Sequence, residues 1–126
     1  MGLAMNERLP KKTEKPWGYE LLFALTSNYA GKVIFVKKGH RLSLQYHEKK
    51  DETMYVYQGK LLLEIEQNGK MSKSEVTSGN SIRVPVMTKH RIKAVEDTYV
   101  FEVSTPELED VVRLSDDYGR ASNTNL

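Results

Sequence analysis

Short apolar segments recur along most of the chain, separated by Gly, Asn or Pro. Before Pro106 no segment keeps the 3.6-residue apolar period of a helix. We therefore predict strands over Tyr19–Leu25, Lys32–Lys37, Arg41–His47, Met54–Tyr57, Lys60–Gln67, Ser81–Val84, His90–Val95 and Tyr99–Ser104. Short strands at such close spacing predict an all-β barrel or sandwich.

Particular residues also predict a turn, a helical segment and the boundaries of the domain. Asn68-Gly69 is typical of a hairpin turn, because both residues tolerate positive φ. The stretch "PELEDVVRL" predicts a short C-terminal helical segment, since its Pro106 suits the first helical position. We predict a barrel domain over residues 15–120, a flexible arm over 1–14 and a disordered tail over 121–126.

The predicted strand Arg41–His47 is unusual because both of its faces are distinctive. Strand side chains alternate between faces. One face carries Arg41, Ser43, Gln45 and His47. The other carries Leu42, Leu44 and Tyr46. The apolar face requires burial in the core or against a partner, so we expect a homodimer formed through the sheet.

Four residues around this strand could form a metal site. Gln45 and His47 share a face, Glu52 follows across a short turn, and His90 begins a later predicted strand. Two imidazoles, a carboxylate and an amide suit one divalent ion such as Zn, Mn, Fe, Co or Ni. The chain has no Cys, so thiolate sites are excluded. From the spacing alone, an ordinary strand with surface histidines explains the pattern equally well.

Length and charge narrow the class of protein. A chain of 126 residues supports one core. Its net charge of +2 does not indicate a nucleic-acid partner. We find no apolar run long enough to span a bilayer and no apolar signal segment at the N-terminus, so we expect no membrane partner and a cytoplasmic protein.

Two spaced motifs resemble those of the cupin superfamily. The first is carried by Gly39, Gln45, His47, Glu52 and Gly59, with Gln45 replacing the usual first His. The second is carried by Gly79, Pro85 and His90, with Met87 and Ala94 replacing the usual Gly and Asn. The resemblance implies a double-stranded β-helix, or jelly-roll, barrel.

A narrower resemblance covers residues 14–120. The stretches "EKPWGYE", "GHRLSLQYH", "VPVMTKHR" and "DVVRLSDDYGR" resemble the C-terminal cupin domain of type II mannose-6-phosphate isomerases. This implies a metal-dependent enzyme that interconverts mannose 6-phosphate and fructose 6-phosphate. It also implies metal ligation by Gln45, His47, Glu52 and His90. After Glu52 the family commonly has His and Trp, whereas this chain has Thr53 and Met54.

Three further residues are candidates for catalysis. Arg120 resembles the terminal Arg of the family and could hold phosphate or stabilise an enediolate. Arg41 is a second candidate anion ligand. The alternative for Arg120 is a surface side chain near a mobile tail, and the alternative for Arg41 is a salt bridge at the rim of the barrel. Glu102, in the strand "YVFEVS", is the candidate general base, unless its carboxylate faces solvent.

Two other functions fit the same motifs. One is another metal-dependent cupin enzyme, such as a dioxygenase acting on a small organic substrate. The other is a non-catalytic sugar-binding cupin. The stretch "RLSDDYGR" favours a sugar phosphate, because an oxygenase of apolar substrates has no evident use for it.

Overall fold

The computed structural model describes residues 8–121, and this part of the chain is built from strands joined by turns. In chain order the strands are β1 Lys11–Lys15, β2 Gly18–Leu25, β3 Ala30–Val36, β4 Leu44–Tyr46, β5 Glu52–Gln58, β6 Lys60–Gln67, β7 Lys70–Thr77, β8 Ser81–Val84, β9 His90–Ala94, β10 Thr98–Ser104 and β11 Val112–Ser115. The predicted all-β class is confirmed.

The strands form two antiparallel sheets that face each other. The first has the order β1-β2-β3-β10-β5-β8 and the second the order β11-β4-β9-β6-β7. Strands distant in sequence are neighbours in both sheets, which is the predicted jelly-roll arrangement. Inward-facing side chains fill the space between the sheets: Trp17, Ile34, Val36, Met54, Val56, Leu61, Leu63, Ile65, Val84, Ile92, Ala94 and Val100.

The predicted helical segment is wrong. Residues 106–111 form turns with short-range bonds, such as Leu108 N–H to the Pro106 carbonyl at 2.8 Å. The following residues form β11, where Val112 pairs with Tyr46. The sheet ladder with β4 therefore takes the backbone groups that a helix would have used. No helix among residues 8–121 has the length and apolar character needed to cross a membrane.

Besides β11, two more strands lie where none was expected. β1 falls within the predicted arm and pairs with β2, with Lys11 opposite Leu22 and Lys15 opposite Gly18. Residues 11–14 therefore belong to the first sheet. β7 follows the predicted hairpin turn, in which Asn68 has a φ of 53° and Gly69 a φ of 77°. Residues 1–7 and 122–126, which hold the rest of the predicted arm and most of the tail, lie outside the described residues.

The alternation predicted for Arg41–His47 breaks down at its start. Regular strand geometry is limited to β4, and Leu42 packs against the core cluster. Leu42 lines the same cavity as Gln45 and His47, whereas Arg41 is half-exposed. One residue of the expected dimer surface is therefore already covered within the chain. The homodimer stays a prediction.

Candidate metal centre

The four candidate ligands meet at one cavity of about 100 Å³ between the two sheets. Gln45 lies on β4 directly opposite His90, the first residue of β9. His47 follows the end of β4, and Glu52 is the first residue of β5 in the facing sheet. Cross-strand pairing and the packing of the two sheets thus bring together side chains from three strands.

His47, Glu52 and His90 form the tightest part of this cluster. The Nε2 atom of His47 lies 3.6 Å from Glu52 Oε1, and the Nε2 atom of His90 lies 3.4 Å from Glu52 Oε2. One ligand atom from each residue lies within 4.8 Å of the other two. All three side chains are buried, with exposed fractions of 4% or less. This separation suits three ligands of one small cation.

Hydrogen bonds on the far side of each ring fix the imidazole tautomers. His47 Nδ1 lies 2.7 Å from the Asp110 carbonyl oxygen, and His90 Nδ1 lies 2.9 Å from the Thr88 carbonyl oxygen. A carbonyl oxygen only accepts, so each Nδ1 carries the hydrogen and donates it. In the neutral rings both Nε2 lone pairs therefore face the carboxylate of Glu52. Three electron-pair donors that converge in this way are well placed to bind one cation.

A buried lysine stands beside the ligand cluster. Lys50 Nζ lies 3.0 Å from Glu52 Oε1 and 3.0 Å from Glu102 Oε2. Lys50 is 6% exposed and Glu102 is 5% exposed, so all these charges are removed from solvent. One ammonium and two carboxylates leave the group with a formal negative charge. A divalent ion bound by Glu52 would offset it, which is a second reason why the site suits a metal.

The pKa values of the charged residues follow from burial and proximity. Burial raises the pKa of Glu102, and the negative charge of Glu52 adds to the shift. For Glu52 burial acts in the same direction, but the hydrogen bonds that His47 and His90 donate when their Nε2 atoms also carry a hydrogen, together with the charge of Lys50, hold its pKa well below the usual range. Burial lowers the pKa of Lys50, yet the two carboxylates outweigh it and raise the pKa overall. Lys50 is therefore a permanent ammonium at this site.

One aspartate holds the loop that joins the ligands. The Asp110 carboxylate accepts backbone N–H bonds from Glu48, Lys49 and Lys50 at 3.1, 2.6 and 2.9 Å. Burial raises the pKa of Asp110, but these three donors lower it overall. Its carbonyl also orients His47. Asp110 thus positions the segment between His47 and Glu52 from both its side chain and its backbone.

The three candidate catalytic residues have different surroundings. Glu102 lines the cavity and does not face solvent. Arg120 is bound by Asp116 through two bonds, at 3.0 and 2.9 Å, and lines an adjoining recess. Arg41 makes a bidentate pair with Asp117 at 2.7 and 2.8 Å and does not line the cavity. The expectation that Arg41 lies on the ligand face is wrong.

Several other charged residues that line the cavity were missed from the sequence, among them Lys15, Lys50 and Arg113. Lys50 lies two residues before Glu52 in a charged run that suggests a solvent-exposed loop. Arg113 pairs with Gln45 across β11 and β4, a register that becomes visible only once β11 is recognised as a strand. The apolar residues around Arg113 in "DVVRLS" are the one signal that could have indicated that strand.

Three solved structures illustrate the fold. KdgF from Halomonas sp. has a TM-score of 0.69 and 23% identity over 76% of this chain and 87% of that chain. Oxalate decarboxylase from Bacillus subtilis has a TM-score of 0.73 and 20% identity over 84% of this chain and 30% of that chain. CapF has a TM-score of 0.68 and 19% identity over 83% of this chain and 34% of that chain. This chain therefore spans about a third of the latter two.

The family relationship is found in the sequence itself. No functionally curated protein matches the chain. The family model described as mannose-6-phosphate isomerase C-terminal matches residues 5–116, which include every candidate metal ligand. Together with the jelly-roll barrel and its cluster of His and Glu, this match shows that the chain is a cupin domain and belongs to the mannose-6-phosphate isomerase C-terminal family.

Proposed function

We propose that the protein interconverts the aldose and ketose forms of a sugar phosphate, with mannose 6-phosphate and fructose 6-phosphate as the pair. One divalent ion would be held by Gln45, His47, Glu52 and His90. The observation that carries the proposal is the cavity itself, in which convergent metal ligands adjoin a buried pair of Lys50 and Glu102. The family to which the chain belongs supports the choice of substrate.

The reaction moves a proton between two neighbouring carbons through an enediol, and the cavity offers groups for each requirement. When bound, a divalent ion supplies Lewis acidity toward the substrate oxygens. Glu102 is placed to hold the transferred proton on Oε2, because it lines the cavity and burial raises its pKa. The ammonium of Lys50 stabilises negative charge on a substrate oxygen. Burial of both groups keeps water from competing with the substrate.

The test combines metal analysis with a coupled mannose 6-phosphate isomerase assay. We expect stoichiometric metal and turnover in the wild type. Glu102→Gln should lower kcat by about 100-fold or more with the metal retained, as is typical of a general base. Glu75→Gln, an exposed carboxylate on β7, is the matched control and should leave kcat unchanged. A fully metal-loaded protein without turnover would contradict the proposed function.

The small volume of the cavity favours a second candidate. Its volume of about 100 Å³ lies below the roughly 300–1,000 Å³ common for small-molecule pockets, which favours an organic molecule smaller than a hexose phosphate. The second candidate is thus another metal-dependent cupin enzyme, such as a dioxygenase. Oxygen uptake with small diketones or thiols, in a protein without isomerase activity, would favour it.

A further inference from the structure

A second recess adjoins the candidate metal cavity on the side of β11. It has a volume of about 40 Å³, and six of the residues lining it carry side-chain hydrogen-bond donors: Lys15, Trp17, Ser43, Gln45, Arg113 and Arg120. Lys15, Arg113 and Gln45 line both the recess and the metal cavity. A ligand could therefore occupy the two spaces at once.

Strand pairing fixes the position of Arg113 relative to the candidate ligands. Arg113 lies opposite Gln45 on β4, and Gln45 lies opposite His90 on β9. Directly opposite residues share a face of the sheet. Neighbouring strands are about 4.8 Å apart, so the Cα atoms of Arg113 and His90 are separated by roughly 10 Å. Arg113 therefore projects from the row that carries two metal ligands, within reach of a substrate bound there.

The charges around the recess favour an anion. The carboxylate of Glu20 also lines it, but this group is paired with Lys32 at 2.9 Å. Asp116 is likewise paired with Arg120. Burial lowers the pKa of Arg113, and the nearby positive charge of Arg120 lowers it further. Two arginines held close together in a partly buried recess are stabilised by a negative ligand.

Trp17 contributes a neutral donor at the same place. Its side chain is 2% exposed, and its Nε1 atom has no hydrogen-bond partner within residues 8–121. A buried N–H without an acceptor is unfavourable, so an acceptor oxygen in the recess would stabilise this arrangement. Lys15 reaches the recess from β1, the edge strand of the opposite sheet.

We propose that this recess binds a tetrahedral oxyanion, with Lys15 and Arg113 as its principal ligands and Trp17 as an additional donor. The bound group is the phosphate of the substrate, whose sugar end lies at the metal cavity. Its identification as a sugar phosphate rests on the proposed function, whereas anion binding by the recess does not. Arg120, held by Asp116, supports the site and is not its main anion ligand.

Titration with inorganic phosphate tests the recess independently of turnover. Heteronuclear NMR would follow the wild type, Arg113→Gln and Lys15→Gln, each with metal loaded and after chelation, because chelation removes the metal as a competing phosphate ligand. We expect phosphate-induced shifts at β1, Trp17 Nε1 and β11 in the wild type. Either variant should weaken binding by about 10-fold or more, the loss typical of one charge-assisted hydrogen bond.

Lys12→Gln is the matched control, since Lys12 is exposed on the same strand and pairs only with Glu14 among the described ion pairs. Equal weakening by this variant, or shifts spread over surface lysines, would show non-specific charge attraction and overturn the proposal. Unchanged affinity in a folded Arg113→Gln protein would do the same. If Arg113→Gln does not fold, Lys15→Gln at the sheet edge decides the question.

Steady-state kinetics then separate this proposal from the proposed function. In an active isomerase, Arg113→Gln should raise KM for mannose 6-phosphate by about 10-fold or more. If Arg113→Gln loses phosphate binding but the wild type has no isomerase activity, the proposed reaction is refuted and anion binding by the recess is supported. If Arg113→Gln is an active isomerase with the wild-type KM for mannose 6-phosphate, phosphate binding by the recess is refuted and the proposed reaction is supported.

Discussion

Replacement of Lys50 by Met tests whether the charges of the cavity are balanced as the structure indicates. The Lys50 ammonium lies 3.0 Å from both Glu52 Oε1 and Glu102 Oε2, and all three side chains are buried. Methionine is also unbranched, only one heavy atom shorter than lysine, and it removes the charge. Two carboxylates would then face each other in the interior without a cation between them.

The expected loss of stability is large and depends on pH. Removal of one partner from a buried ion pair typically costs about 3–5 kcal/mol, because the remaining charge is left without a partner. In Lys50→Met the pKa of Glu102, already raised, should rise further. A group with a raised pKa in the folded state favours folding while protonated, and this contribution is lost as pH rises through that pKa. The variant should therefore be closer to the wild type at pH 5 than at pH 8.

Urea unfolding of the chelated protein at both pH values measures these differences. Lys50→Met with Glu102→Gln should recover most of the loss, since the double variant has the same formal charge in the cavity as the wild type. Zinc should also stabilise Lys50→Met, by offsetting the same charge. Lys49→Met, an exposed neighbour, is the control and should change stability by less than about 0.5 kcal/mol. A loss below about 1 kcal/mol at pH 8, with no recovery in the double variant, would refute the charge balance.

Three further substitutions test other parts of the structure. Asp110→Ala removes the acceptor of three backbone N–H groups and should cost roughly 2–3 kcal/mol at pH 7. Because the pKa of Asp110 is lowered in the fold, this difference should shrink as pH falls through that pKa, as urea unfolding at pH 7 and pH 3 would show. Gly59→Ala should lower thermal stability by at least about 1–3 kcal/mol, because φ is +111° and the new Cβ would lie 2.5 Å from the Asp97 carbonyl oxygen. Glu52→Gln should weaken zinc binding by about 100-fold or more in calorimetric titration, whereas Glu75→Gln should not.

The sequence predicted those parts of the fold that depend on local patterns. The hairpin at Asn68-Gly69 needs only two residues that tolerate positive φ, and the inward positions of β6 follow simple alternation. The errors occur where distant partners override local preference. Pro106 correctly marks the start of a new segment, but pairing with β4 turns residues 112–115 into a strand. β1 is polar throughout and becomes a strand because β2 offers it a free edge.

The candidate site likewise contains residues that could be predicted from the sequence and residues that could not. Gln45, His47, Glu52 and His90 follow spaced motifs, so their meeting at one cavity could be anticipated from the resemblance. The position of Lys50 could not, because nothing in "HEKKDE" separates it from its exposed neighbours. Its buried partner Glu102 is contributed by β10, a strand distant in the sequence. When the neighbours of a residue come from distant strands, its burial cannot be predicted from the residues next to it in the sequence.

Gln45 is the residue that connects the two halves of the proposed site. It lines both the metal cavity and the recess, and it pairs with His90 on one side and Arg113 on the other. A carboxylate at this position would bind a metal, but its charge would repel an oxyanion in the recess and attract the guanidinium of Arg113. A neutral amide can donate a carbonyl oxygen to a metal without competing with the substrate for that guanidinium. A neutral ligand at position 45 is thus consistent with a cupin whose ligand combines a metal-binding end with an anionic one.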